Sequence, residues 1–209
     1  AEVAYILSDC AASVVVTSSE LFEKVAGQEG VRGVGNWLLV DGRRDGSLSF
    51  RDALAVNPVP APAPVAPDDV AVLLYTSGTT GFPKGAMISH RNTLFNADSC
   101  VATLGYRETD VGLITLPLFH VTGLHSQLVA LLACGATVVL QKEYDTRQVL
   151  EMIARHRPTV LTSVPTMING MLQLPGASKK DLSCLRVCLS AGEAQLVGHP
   201  TAGLVEHGV

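Results

Sequence analysis

The chain has 209 residues, of which 47% are hydrophobic and 16% are charged. This composition is typical of a globular α/β protein with a substantial core and excludes a disordered chain. The formal net charge of -4 comes from 15 basic and 19 acidic residues without long like-charge runs, so no nucleic-acid partner is expected.

The cysteines and the apolar segments bear on the cellular compartment. Five cysteines are scattered, mostly in apolar segments, which favours buried thiols in a reducing compartment. Neither a signal peptide nor an apolar run of about 18 residues is present, so we expect a cytoplasmic protein without an integral membrane segment. Because the chain begins without Met inside an apolar periodic segment, we expect it to be an internal piece of a longer protein.

Residues 1–57 form the first predicted segment, an alternation of helices and strands. The predicted elements are helices at about 2–9 and 19–26 and strands at AASVVVTS and WLLV, followed by a turn at DGRRDGS. Residues 58–69 follow and contain five prolines. Since prolines at this density prevent a helix or a central strand, these residues are predicted to be an extended linker.

The third predicted segment, residues 70–209, begins with VAVLLY (70–75), a continuous apolar run typical of a strand covered on both faces. A polar loop then leads towards a helix predicted at 90–105. The next elements, alternately strand and helix, are VGLITLPL, HSQLVALLACG, TVVLQ, TRQVLEMIARHRP, VLTSVP, TMINGMLQLP and LRVCLSAGE. This alternation predicts an α/β fold with mainly parallel sheets flanked by helices.

The polar loop YTSGTTGFPKG (75–85) has the chemistry of a phosphate-binding site. Its glycines allow positive φ and a close approach of backbone N–H groups to an anion, and Lys84 adds a positive charge. Pro83 before this lysine and Gly85 after it do not match the pattern GxxxxGK[ST]. The sequence therefore predicts a different phosphate loop, and a Ser/Thr/Gly-rich surface turn is the alternative.

The loop YTSGTTGFPKG resembles the signature phosphate loop of the adenylate-forming superfamily, which includes acyl-CoA synthetases. The resemblance implies an internal fragment of the large N-terminal domain of an ATP-dependent acid-thiol ligase. Such an enzyme converts a small carboxylic acid, here a fatty or aromatic acid, to an acyl-adenylate and then to an acyl-CoA, with ATP, Mg²⁺ and CoA. The implied nucleotide-binding residues of the loop are Thr76, Ser77, Gly78, Thr79, Thr80, Gly81 and Lys84.

The stretch LPLFHVTGLHSQL (116–128) resembles the family element beside the acyl pocket. By this resemblance His120 adjoins the carboxylate or thioester and is the candidate catalytic residue, while Phe119 and Val121 shape the tunnel. The alternative is that His120 caps the following helix or satisfies a backbone group. A metal site formed with His125 would lack a third ligand.

The strand end CLSAGEAQ (188–195) resembles an element that lines the adenine and acyl pocket. The resemblance adds Gly192 and Glu193 to the candidate nucleotide-binding residues. Lys142 corresponds to a position that contacts CoA in some relatives, and a solvated lysine is the alternative.

Several elements of the superfamily are absent from the 209 residues, among them the motif YGxTE, whose Glu binds Mg²⁺. We therefore expect the fragment to be weakly active or inactive alone. LPLFHVTGLHSQL favours a CoA ligase. The alternatives are a non-catalytic nucleotide-binding fragment and an amino-acid-activating adenylation domain of a peptide synthetase.

Overall fold

The computed structural model describes residues 2–31, 33–56, 61–76 and 81–190. The chain divides into two compact units, Ala1–Ile88 and Ser89–Val209. None of the helices in the described ranges combines the length and the apolar character of a membrane span.

The first unit begins with the alternation that the sequence predicts. Its elements are α1 (Glu2–Asp9), β1 (Val14–Thr17), α2 (Ser19–Val25), a 3₁₀ turn (Glu29–Val31), β2 (Asn36–Leu39), β3 (Leu48–Ser49), α3 (Phe50–Leu54), β4 (Val70–Thr76) and β5 (Lys84–Ser89), whose last residue lies in the second unit. The predicted helices and strands in residues 1–40 are confirmed, whereas β3, α3 and β5 were not predicted.

A small parallel sheet, in the order β1-β2-β3, lies in the core of the first unit. Trp37 and Leu39 point from β2 into this core, where the ring of Trp37 meets Phe22 of α2 edge to face at 5.3 Å. Helix α2 begins after Ser18, whose hydroxyl accepts a hydrogen bond from the Leu21 N–H.

Strands β4 and β5 pair with each other in a separate two-stranded sheet. This arrangement corrects two expectations, because the polar loop leads into a strand rather than a helix and β4 is not covered on both faces. Val70 and Leu73 are 50% and 39% exposed. A continuous apolar run such as that of β4 indicates a strand covered on both faces, but apolar residues also occur in a half-exposed strand pair.

The second unit continues the alternation. Its elements are α4 (His90–Leu104), β6 (Val111–Ile114), a π-helix (Thr122–Val129), α5 (Ala130–Ala133), β7 (Thr137–Leu140), α6 (Thr146–His156), β8 (Val160–Ser163), α7 (Pro165–Gln173), a 3₁₀ turn (Ala177–Lys179) and β9 (Val187–Ser190). The predicted elements from residue 90 to residue 190 are confirmed, with the difference that the helix at HSQLVALLACG starts earlier and includes a π-helix.

The sheet of the second unit has the order β7-β6-β8-β9, and all its pairs are parallel. Residues of α4 and α5 form a core on one face with Ile114, and residues of α6 and α7 form a core on the other face with Leu113. The predicted α/β fold with parallel sheets and flanking helices is thus confirmed. The chain leaves β6 towards β7 and leaves β8 towards β9, in opposite directions, so a crevice is expected at the carboxyl ends of β6 and β8.

The amino ends of the strands are held by an ion pair between a buried aspartate and a partly exposed arginine. Asp110, just before β6, accepts hydrogen bonds from the Thr159 hydroxyl at 2.7 Å and from the Arg107 N–H at 2.8 Å. It also pairs with the Arg186 guanidinium, 2.5 Å away. Burial raises the pKa of Asp110, but these hydrogen bonds and the charge of Arg186 outweigh burial and hold the pKa below its ordinary value.

Gly123 allows the π-helix to lie directly against the segment that follows β6. A Cβ atom at Gly123 would lie 2.4 Å from the carbonyl oxygen of Pro117 and 3.0 Å from that of Leu116. Since both are backbone atoms, a side chain does not fit without a shift of the chain. The π-helix therefore fixes the position of residues 116–120.

Candidate functional site

The ends of the predicted phosphate loop are the ends of two paired strands in the first unit. Thr76 is the last residue of β4 and Lys84 is the first residue of β5, and both are exposed. Gly81 has a φ of +111°, which L side chains rarely adopt. Ser77, Gly78, Thr79 and Thr80 lie outside the described residues, so their predicted role stays a prediction.

Tyr75 and Gly85 face each other across the strand pair beside this loop. A Cβ atom at Gly85 would lie 3.0 Å from Cζ of the Tyr75 ring. The Tyr75 hydroxyl donates a hydrogen bond of 2.6 Å to Asp9 at the end of α1. This hydrogen bond to a carboxylate is the main reason why the pKa of the Tyr75 phenol is raised.

A cavity of about 530 Å³ lies at the carboxyl ends of β6 and β7 in the second unit. Its size falls in the range of small-molecule sites, about 300–1,000 Å³. The lining is mostly apolar with a few polar groups, as in many ligand pockets. The lining residues are Ile114, Thr115, Leu116, Pro117, Leu118, Phe119, Leu140, Gln141, Lys142, Glu143, Tyr144 and Met167.

Tyr144 connects two sides of this cavity. Its hydroxyl donates to the Met167 carbonyl oxygen at 3.0 Å and accepts from the Thr146 hydroxyl at 3.2 Å. The ring is therefore fixed between the segment after β7 and the first turn of α7. Neither Tyr144 nor Met167 was predicted as a site residue, although an aromatic residue with a polar tip four residues after the end of β7 was a usable signal.

His120 is exposed in the segment that joins β6 to the π-helix. Its ring Nδ1 accepts a hydrogen bond from the Thr122 backbone N–H at 3.2 Å. The backbone N–H of His120 donates to the Pro117 carbonyl oxygen at 3.1 Å. His120 thus accepts from a backbone group, as the alternative expects, and its predicted catalytic role is not tested. Because Nδ1 is an acceptor here, the proton of the neutral ring is on Nε2.

The second histidine of this segment, His125, has a packing role. It is buried in the π-helix, and its Nε2 lies 3.3 Å from the hydroxyl of Thr93 in α4. Burial lowers the pKa of His125. Within the described ranges, no group of three His, Cys, Asp or Glu side chains is arranged to hold a metal ion.

The structure brings together some of the predicted residues. Phe119 and Lys142 line the same cavity, directly beside the segment that carries His120. Thr76, Gly81 and Lys84 lie in the first unit, whereas His120 lies in the second. Gly192 and Glu193 lie outside the described residues, and their predicted role is not tested.

A family model described as "AMP-binding enzyme" matches residues 1–198. The chain belongs to the AMP-binding enzyme family. This membership confirms the resemblance to the adenylate-forming superfamily. The 4-coumarate–CoA ligase 3 of Oryza sativa subsp. japonica is a relative with 37% identity, in a match that covers 86% of this chain and 33% of the relative.

Two further members show the same pattern of similarity. The benzoate–CoA ligase of Thauera aromatica is 38% identical, with 91% of this chain and 36% of the relative covered. The crystal structure of the anthranilate–CoA ligase AuaEII with anthranoyl-AMP matches with a TM-score of 0.84 and 33% identity, over 92% of this chain and 38% of that chain. The chain spans about one third of the length of the curated relatives it matches.

Proposed function

We propose that the chain is part of an ATP-dependent acid–CoA ligase that activates an aromatic carboxylic acid. The observation that carries the proposal is the cavity of about 530 Å³, which lies at the carboxyl ends of β6 and β7 in an AMP-binding family member. Three of the similar proteins are named as ligases of 4-coumarate, benzoate and anthranilate, which are aromatic acids.

In the proposed reaction, the acid carboxylate attacks the α-phosphate of ATP. The new C–O–P bond gives an acyl-adenylate, and the bond to the β-phosphate breaks to release pyrophosphate. The sulfur of CoA then attacks the acyl carbon, which forms the thioester and releases AMP. Attack between two anions requires that their charges are neutralised and that the groups are held in line.

The loop between β4 and β5 is proposed to bind the β- and γ-phosphates of ATP. The positive φ of Gly81 fits an anion, because a backbone without a Cβ atom can approach it closely. The exposed ammonium of Lys84 also fits an anion, because none of the ion pairs among the described residues uses its charge. The other proposed members of this site are Thr76, Ser77, Gly78, Thr79 and Thr80, and Gly192 and Glu193 are proposed to contact the nucleotide.

Mg²⁺ is proposed to accompany ATP. The described residues do not contain a cluster of acidic ligands that would hold the ion alone. This fits the usual behaviour of Mg²⁺, which binds mainly to substrate phosphates and water with one or two carboxylates. When bound, the ion supplies positive charge beside the phosphates.

His120 is proposed to act on the acid. Because its Nδ1 accepts the Thr122 N–H, its Nε2–H is a donor. A donor on the residue that follows Phe119, a lining residue of the cavity, can hold the carboxylate or the carbonyl oxygen of the adenylate. The hydrogen bond from the Thr122 backbone N–H fixes the orientation of the ring.

Binding of carboxylic acids to the 209-residue chain tests the acid site. Benzoate, 4-coumarate and hexadecanoate serve as probes in saturation-transfer NMR. We expect the two aromatic acids to bind, and we expect Met167→Trp to abolish binding because the larger side chain fills the cavity. Leu172→Trp is the matched control, since Leu172 is also in α7, is 41% exposed and does not line the cavity.

Equal binding of the aromatic acids to wild type and Met167→Trp would contradict the proposed site. Preferential binding of hexadecanoate, with loss in Met167→Trp, would replace the aromatic acid by a fatty acid as the proposed substrate.

A further inference from the structure

Helix α1 contacts the chain on both sides of the phosphate-binding loop. At the first end, Asp9 accepts the hydrogen bond from the Tyr75 hydroxyl at 2.6 Å. At the second end, the ring of Tyr5 lies 5.0 Å from the ring of Phe82, with 32° between the ring planes. Tyr75 directly precedes the proposed ligand Thr76, and Phe82 directly follows Gly81.

The two contacts arise from one face of α1. Tyr5 and Asp9 are four residues apart, so their side chains are neighbours on the helix surface. The bond from Tyr75 to a carboxylate is short and charge-assisted, and such bonds are stronger than those between neutral groups. Gly85 leaves room for the Tyr75 ring, whose Cζ would lie 3.0 Å from a Cβ atom at that position.

We propose that Tyr5, Asp9 and Tyr75 are positioning residues that hold the ends of the phosphate-binding loop in place for ATP. The inference rests on the proposed function, because it assigns to α1 the placement of the two ends of a loop that is proposed to bind the β- and γ-phosphates. A loop whose ends are fixed loses less conformational entropy when it binds a ligand, so its affinity is higher.

The ratio of the dissociation constants for ATP and AMP, measured by titration calorimetry, tests this role. Tyr75→Phe keeps the ring but removes the hydroxyl, and we expect it to weaken ATP binding several-fold, with an upper limit of about tenfold, the value of one strong hydrogen bond. AMP binding should stay unchanged because AMP lacks the β- and γ-phosphates.

Two substitutions of Asp9 extend this experiment. Asp9→Leu removes the acceptor and should reproduce the effect of Tyr75→Phe. Asp9→Asn keeps an acceptor oxygen for the phenol and should retain most of the ATP affinity. Tyr106→Phe is the matched control, because it also removes a tyrosine hydroxyl but lies in the core of the second unit.

The outcomes separate the inference from the proposed function. If Tyr75→Phe leaves ATP affinity unchanged, or weakens ATP and AMP equally, α1 has no positioning role while nucleotide binding stands. If the variant lowers only the melting temperature, the contact is merely structural and the inference is also overturned. If the wild-type chain binds neither ATP nor AMP, the proposed function fails and the inference fails with it.

Discussion

Substitution of Gly123 by Ala tests whether the π-helix fixes the segment that carries His120. A Cβ atom at Gly123 would lie 2.4 Å from the Pro117 carbonyl oxygen. Carbon and oxygen atoms in ordinary contact are about 3.3–3.6 Å apart, so this oxygen must move by about 1 Å. Because the same oxygen accepts the N–H of His120, the shift also displaces the histidine.

The magnitude follows from two opposing effects. Overpacking against a fixed backbone costs about 1–3 kcal/mol, whereas Gly→Ala inside a helix contributes about 1 kcal/mol of stability. We therefore expect Gly123→Ala to lower the free energy of unfolding by about 1 kcal/mol, which is a decrease of about 2–4 °C in melting temperature for a chain of this size.

Gly170→Ala in α7 is the matched control. A Cβ atom at Gly170 meets its nearest neighbour, the Thr146 hydroxyl, at 3.5 Å, which is ordinary contact. This variant should gain about 0.5–1 kcal/mol from helix propensity alone. Urea unfolding followed by circular dichroism measures both variants, and benzoate affinity should fall only in Gly123→Ala. Equal stabilisation by the two substitutions would refute the close contact between the π-helix and Pro117.

Three further substitutions in the second unit have defined effects. Asp110→Asn leaves Arg186 without its carboxylate and should lower the free energy of unfolding, measured with urea at pH 7, by about 2–3 kcal/mol. Since the folded-state pKa of Asp110 is lowered, this contribution is complete above the unfolded-state pKa of about 3.9 and is lost as the pH falls through the folded-state pKa. Equal stability of variant and wild type at pH 7 would contradict the ion pair. Because burial lowers the pKa of His125, the wild type should lose stability as the pH falls below the unfolded-state pKa of about 6.5. His125→Gln should lose less stability than the wild type between about pH 7 and pH 5. Parallel profiles of stability against pH for the two proteins would exclude a neutral buried histidine. Ser89→Ala removes the capping box of α4 and should cost about 1 kcal/mol, whereas an unchanged midpoint in thermal unfolding would show that the cap contributes nothing.

Periodicity and stop signals predicted most helices and strands of the second unit. Helix α4 is followed by Gly105, which has a φ of +63°, and α6 is followed by Arg157 and then a proline, as such signals indicate. The parallel sheet followed from the alternation of apolar strands with helices. Helix ends depend on local residues and the sheet depends on burial, and the sequence pattern indicates both directly.

Features that depend on tertiary contact were not predictable from the residues alone. The apolar run of β4 does not show that its partner is β5, since this pairing depends on the contact across Gly85 and Tyr75. The early start of the π-helix depends on the approach of Gly123 to Pro117. The link from Tyr144 to Met167 joins residues 23 positions apart, and no motif marks it.

The residues of the candidate site that lie in family motifs were predicted, but the contacts that surround them were not. The family resemblance marked Lys84 and His120 because it compares short, specific stretches. The resemblance did not include the contact of α1 with Tyr75, which joins residues 66 positions apart. Contacts of this range appear only when the fold places the two segments side by side.

The affinity of the 209-residue chain for ATP, measured by titration calorimetry for wild type, Lys84→Ala and Lys24→Ala, tests the proposed nucleotide site most directly. Lys24 is the control because it is also an exposed lysine of the first unit and pairs with Glu20 in α2. We predict that Lys84→Ala weakens ATP binding at least about tenfold, since it removes a charged contact to phosphate, and that Lys24→Ala has no effect. Equal ATP affinity in all three proteins would contradict a phosphate-binding loop at Lys84.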